Sequence, residues 1–90
     1  MKYIVRHTKK FKKDYEKVQA QCKDLTKLES VVLALREGEN LNKTLHSHQL
    51  KGEYKDCMEC YIEPDWLLIY RIVEDKLVLV RTGSHSELFK

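Results

Sequence analysis

Apolar residues recur along the first third of this chain with the spacing of two amphipathic helices. Phe11, Tyr15, Val18 and Cys22 follow at steps of four, three and four, one stripe on a helix surface. Leu25, Leu28, Val31, Val32 and Leu35 form a second stripe. Thr8 is placed to cap the first helix, and Thr26 with Glu29 reads as a capping box for the second. Gly38 stands where a left-handed terminator belongs. Ahead of both helices, Tyr3-Ile4-Val5-Arg6 is a short β-rich run.

After Gly38 the period changes. Asn40 to Gly52 shows none and reads as a loop. A strand resumes at Tyr54, with Met58, Cys60 and Ile62 on one face and Cys57, Glu59 and Tyr61 on the other. Glu63-Pro64-Asp65 is a turn, because proline presets its own φ and has no N–H for a ladder. Trp66 to Val73 is apolar on both faces, as a central strand is. Glu74-Asp75-Lys76 turns the chain back into a last strand from Leu77 to Val80. The expected architecture is α+β, in the order β-α-α-β-β-β. Two N-terminal helices pack on one face of a small antiparallel sheet, and the other face is left to hold a ligand. Residues 1–90 make one domain, near the small end of what folds without staples.

Composition narrows the class. Hydrophobic residues make up 42% and charged residues 34%, an ordinary folded balance. No apolar run approaches the ~20 residues that span a bilayer, and no signal peptide is read, so a membrane partner is not expected. An odd set of cysteines, Cys22, Cys57 and Cys60, argues against a disulfide framework and for a reducing cytoplasm. The formal charge is only +3, but Lys2, Arg6, Lys9, Lys10, Lys12, Lys13, Lys17 and Lys23 crowd the first quarter, opposed there only by Asp14 and Glu16. A basic helix attracts phosphates at long range, although lysines that merely solvate a helix would look the same.

The stretch Arg81-Thr82-Gly83-Ser84-His85-Ser86-Glu87-Leu88-Phe89 gathers a guanidinium, hydroxyls, an imidazole and an aromatic ring just past the last strand. Polar groups placed where a rigid element ends are candidates for function. Each has a plainer reading alone: a surface histidine, an arginine paired with Glu87, a phenylalanine pinning the terminus, an aspartate serving the turn. Trp66 reads as core. Metal chemistry is not expected. His46-Ser47-His48 offers two ligands without a third, and Cys57 and Cys60, three apart on a strand, point to opposite faces.

The order of elements, with Leu50-Lys51-Gly52, Glu63-Pro64-Asp65-Trp66-Leu67-Leu68-Ile69-Tyr70 and the tail from Arg81 to Phe89, resembles the YafQ-type branch of the RelE/ParE toxin superfamily. The resemblance spans essentially the whole chain. It implies a toxin of a type II toxin–antitoxin pair that cuts messenger RNA in the ribosomal A site without a metal or other cofactor. It also implies a co-encoded antitoxin as partner. The family's functional positions fall on His48, Asp65, Trp66, Arg81, His85 and Phe89. Where the branch's type member has a histidine two residues before the glutamate of Glu-Pro-Asp-Trp, this chain has Tyr61.

Cutting RNA in this way needs a base for the 2′-hydroxyl, an acid for the departing 5′-oxygen and a cation for the phosphorane. Histidine, with a reference pKa of ~6.5, serves either proton role near neutrality. His85 is assigned as the acid and Arg81 as the phosphate clamp. Asp65 and His48 both qualify as the base, and Asp65 alternatively tunes a histidine. Tyr61 is placed to reach the phosphate, Phe89 to stack on a base and Lys51 to touch the backbone. Lys9, Lys10 and Lys13 are expected to meet 16S ribosomal RNA. The alternative is a non-enzymatic ParE-like toxin that inhibits DNA gyrase by binding, which would have no need of His48 and His85.

Overall fold

The computed structural model describes residues 2–38, residues 57–89 and the backbone of residues 48 and 49. Helix α1 (Lys9–Ala20) begins where expected: the Thr8 hydroxyl accepts the Phe11 N–H at 3.0 Å. Phe11 and Val18 are buried and Tyr15 is half-buried, while Lys9, Lys10 and Lys13 are exposed. Cys22 falls off the end of the stripe, exposed in the turn between helices at φ +60°. Helix α2 (Leu25–Arg36) starts earlier than the Thr26–Glu29 reading placed it. Its cap is Asp24, whose carboxylate accepts the Thr26 N–H at 3.0 Å. A carboxylate is the better partner for the positive end of a helix, and the bonds from Thr26 hold it below its usual pKa. Gly38, at φ +78°, closes the helix as predicted.

The strands are β1 (Ile4–His7), β2 (His48–Gln49), β3 (Met58–Glu63), β4 (Trp66–Val73) and β5 (Lys76–Gly83). They lie in the order β1-β5-β4-β3-β2. The α+β class and the meander of β3, β4 and β5 are as expected. β1 runs parallel to β5, so the sheet is mixed rather than wholly antiparallel. The segment read as a loop contains β2, and the predicted strand start at Tyr54 lies outside the described residues. β5 also continues past Val80. It passes Val80 as an extra residue, since Ile69 pairs with Arg81 while Tyr70 pairs with Leu79. Arg81 and Thr82 are therefore strand residues, held against β4.

Both faces of the sheet are covered, unequally. Phe11, Val18, Leu28, Val31 and Leu35 of the helices pack on Cys60, Trp66, Leu68, Tyr70, Leu77 and Leu79. On the other face Cys57, Leu67 and Ile69 gather around Leu88 of a short last helix, α3 (His85–Leu88). The residue that pins the tail is thus Leu88, whereas Phe89 stays exposed.

Trp66, Leu67 and Thr82 tie the two ends of the β4–β5 hairpin. Trp66 is fully buried and its indole N–H donates to the Thr82 hydroxyl at 3.0 Å. That hydroxyl donates in turn to the Leu67 carbonyl at 2.8 Å. The pair is satisfied in both directions, as buried polar groups must be. Thr82→Val keeps the shape but orphans the indole N–H and the carbonyl. It should cost about 1–3 kcal/mol, read as a lower urea midpoint with an unchanged slope.

Candidate active site

The last turn of chain is set by local chemistry. Gly83, at φ +153°, lets β5 break into α3, and a Cβ there would meet the Glu87 carboxylate at 3.1 Å. Ser84 and Glu87 then form a capping box. The Glu87 carboxylate accepts the Ser84 N–H at 2.9 Å, and the Ser84 hydroxyl accepts the Glu87 N–H at 3.3 Å. This Ser-x-x-Glu pattern was visible in the sequence and went unread there. Lys17 of α1 adds an ion pair to Glu87 at 2.6 Å. The lysine's hydrogen bond, then the Ser84 N–H, pull that carboxyl down from an ordinary 4.5 to about 2.

On this frame the imidazole of His85 is gripped from both sides. The Asp65 carboxylate, delivered by the Pro64–Asp65 turn, accepts the His85 backbone N–H at 3.2 Å and lies 3.2 Å from Nδ1. Those two bonds, led by the backbone one, lower the Asp65 pKa, so it is an anion at neutral pH. An anion cannot donate, so Nδ1 carries the proton and Nε2 is left to face Tyr61, whose hydroxyl lies 3.0 Å away. Desolvation, then the charges of Glu59 and Asp65, raise the Tyr61 pKa and keep the phenol protonated. The result is a relay, Tyr61 O–H to Nε2 and Nδ1–H to Asp65. The His85 ring also lies 5.6 Å from that of Tyr61 and 6.1 Å from that of Phe89. His85 and Asp65 have 48% and 71% of their side chains exposed, so the relay is open to an incoming ligand.

Arg81 is held differently. Its Nε donates to Asp14 of α1 at 2.6 Å and its Nη2 at 3.0 Å, with 20% of the arginine side chain exposed. The plainer alternative to the phosphate clamp, a pairing with Glu87, is not what forms: Arg81 pairs with Asp14 and Glu87 with Lys17. His48 enters through its backbone alone, paired in register with Glu59, two residues from Tyr61. Lys51 and the His46-Ser47 pair lie outside the described residues. Cys60 lies in the core beneath the helices and Cys57 in the cluster on the far face. Burial pushes the Cys60 thiol up to about 12, which makes it inert.

Two acids escaped the sequence reading. Asp14 was seen only as a counter-charge to the lysines. Its signal was its place beside Phe11, Tyr15 and Val18, where a helix facing a core carries an apolar residue. Glu59 is 8% exposed on the Tyr61 face of β3. A buried carboxylate in a strand has a reason to be there, but nothing in the β pattern alone flags it.

The chain matches, over residues 3–90, the family model of a bacterial toxin of type II toxin–antitoxin system, YafQ. It is 32% identical over 91 residues to the mRNA interferase toxin YafQ of Escherichia coli K12, with 94% of each chain covered. Among solved structures it is similar to the E. coli DinJ–YafQ toxin–antitoxin complex, with a TM-score of 0.89 at 30% identity and 100% of both chains covered. It is also similar to a copper-bound mutant toxin from Helicobacter pylori, with a TM-score of 0.89 at 42% identity, covering 99% of this chain and 100% of that one.

The Glu87 anchor carries a pH signature. Its carboxyl has a lower pKa in the folded chain than in the unfolded one, so its contribution is fully present above 4.5 and is lost as pH falls towards about 2. Across that window the Ser84 amide signal, whose N–H donates to Glu87, should shift in NMR titration. In Glu87→Gln that titration should vanish.

Proposed function

The chain belongs to the YafQ family of bacterial type II toxins, and we propose that, like its E. coli relative, it is an mRNA interferase: a ribosome-dependent endoribonuclease. The observation that carries the reading is the solvent-open relay of Tyr61, His85 and Asp65. A base removes the 2′-hydroxyl proton, the 2′-oxygen attacks the adjacent phosphorus, and the bond to the 5′-oxygen breaks. The products are a 2′,3′-cyclic phosphate and a 5′-hydroxyl. In its doubly protonated form, with the Tyr61 hydroxyl turned away from Nε2, His85 gives the Nε2 proton to the departing oxygen, and Asp65 on Nδ1 keeps the ring in the orientation that allows this. With Asp65 engaged by His85, the base is His48. Arg81 supplies the positive charge that the phosphorane needs. Phe89, exposed beside His85, stacks on a nucleobase, a contact worth ~1–3 kcal/mol. Lys51 touches the phosphate backbone.

Lys9, Lys10 and Lys13, exposed along α1, contact 16S ribosomal RNA. A cognate antitoxin neutralises the toxin, as the DinJ–YafQ complex of the E. coli relative suggests by likeness. No helix among the described residues is long and apolar enough to cross a membrane, and the ribosomal substrate places the activity in the cytoplasm. The reaction uses side-chain acids and bases and calls on no metal or cofactor.

His85→Ala should fold normally by circular dichroism and lose cleavage by roughly 10²–10⁴-fold. Primer extension on messenger RNA after brief induction should show in-frame cuts for the wild type and none for the variant. Growth arrest by the wild type without any cuts, together with inhibited supercoiling by gyrase, would replace this reading with a binding toxin.

The pH profile separates the proton roles. With His48 as base, His48→Ala should remove the rising acidic limb of single-turnover cleavage on programmed ribosomes. Asp65→Asn should lower the plateau and keep that limb. A limb lost in Asp65→Asn and kept in His48→Ala would move the base to Asp65.

A further inference from the structure

We infer that Asp14, on the first helix, is a positioning residue for the reaction: it sets the plane of the Arg81 guanidinium. The inference rests on the nuclease reading above and extends it to a residue of α1, which holds the chain on both sides of Gly83.

The argument begins at the sheet edge. β1 pairs with β5 only between Lys76 and Leu79. Beyond that point the backbone of β5 would be left as an open edge, and α1 takes over from the strand. The Thr8 N–H donates to the Leu79 carbonyl at 3.1 Å and the Thr8 hydroxyl to the Val80 carbonyl at 2.8 Å. Asp14 then accepts the Thr82 N–H at 3.3 Å with the oxygen that also takes Nε of Arg81. One carboxylate thus fixes a backbone N–H and two guanidinium nitrogens.

A two-point hold fixes the plane of a guanidinium, which a single contact does not. Only 12% of the Asp14 side chain is exposed, so water does little to weaken the hold. Lys17, one turn further along α1, grips Glu87 on the far side of Gly83. α1 therefore holds the chain both before and after the glycine that carries it into α3. A buried ion pair is a poor source of stability compared with apolar residues of the same size. A carboxylate at this point in the apolar stripe is better explained by what it orients.

The test measures single-turnover cleavage of messenger RNA on programmed ribosomes, for the wild type, Asp14→Asn, Arg81→Ala and the double variant. Folding is followed by circular dichroism. Asp14→Asn should slow the cutting step on the order of 10-fold or more, with half-saturation moved by less than about threefold. In the Arg81→Ala background the same change should add less than about twofold, because Asp14 acts through Arg81. Should Asp14→Asn unfold, Asp14→Glu takes its place: it keeps the charge but moves the carboxylate by a methylene, and should slow the same step.

Wild-type cutting by Asp14→Asn, or an effect that multiplies with that of Arg81→Ala, overturns the inference and leaves the nuclease reading in place. A wild type that cuts nothing overturns both.

Discussion

Thr8 and the carboxylate of Asp14 do the work of the edge strand that β5 lacks beyond Leu79. Much of the functional end of the molecule depends on that substitution. Arg81 and Thr82 are the last side chains of β5 before Gly83, and they are held from two directions. From the β4 side, the Thr82 hydroxyl joins the Trp66 indole to the Leu67 carbonyl. From the other side, Asp14 takes the Thr82 N–H and the Arg81 guanidinium. An open strand edge would be both floppy and prone to pair with another chain. Closed in this way, it becomes a fixed point from which α3 can project.

The exposed chemistry is built on that foundation. Tyr61, His85, Asp65 and Phe89 all reach solvent, yet each leaves a rigid element within a residue or two: β3, the β3–β4 turn or α3. Leu88, buried against Leu67 and Ile69, fastens the short helix to the sheet. A four-residue helix has no stability of its own. Its capping box, its ion pair to Lys17 and this one apolar contact replace the length it lacks. The imidazole is therefore mobile only within limits set by Asp65 on one nitrogen and Tyr61 on the other.

Much of this was legible in the sequence, and the failures have physical causes. Both helices, the face assignment of Cys57, Cys60 and Tyr61, the buried Trp66 and the meander followed from periodicity, which reports burial directly. The parallel pairing of β1 did not, because a short edge strand carries no mark of its partner's direction. The end of β5 was set too early, since Arg81 and Thr82 read as polar tail until their buried partners are known. Thr82 is almost fully buried, and only a hydroxyl can answer the Trp66 indole there. Asp14 and Arg81 are 67 residues apart, a separation that no local pattern spans. Tyr61 and His85 were both named as candidates, but their direct contact follows from how β3 meets the tail and not from either motif.

The tyrosine at position 61 has a consequence for how the site divides its work. A histidine at this position would add a group whose charge changes near neutrality, directly against the His85 ring. Tyr61, with its pKa raised by desolvation and by Glu59 and Asp65, stays a neutral donor wherever the site operates. It can give a hydrogen bond to Nε2, or to a phosphate oxygen that displaces the ring, without changing the charge of the site. Asp65, held ionised by the two N–H groups of the same residue, fixes which nitrogen of that ring faces Tyr61.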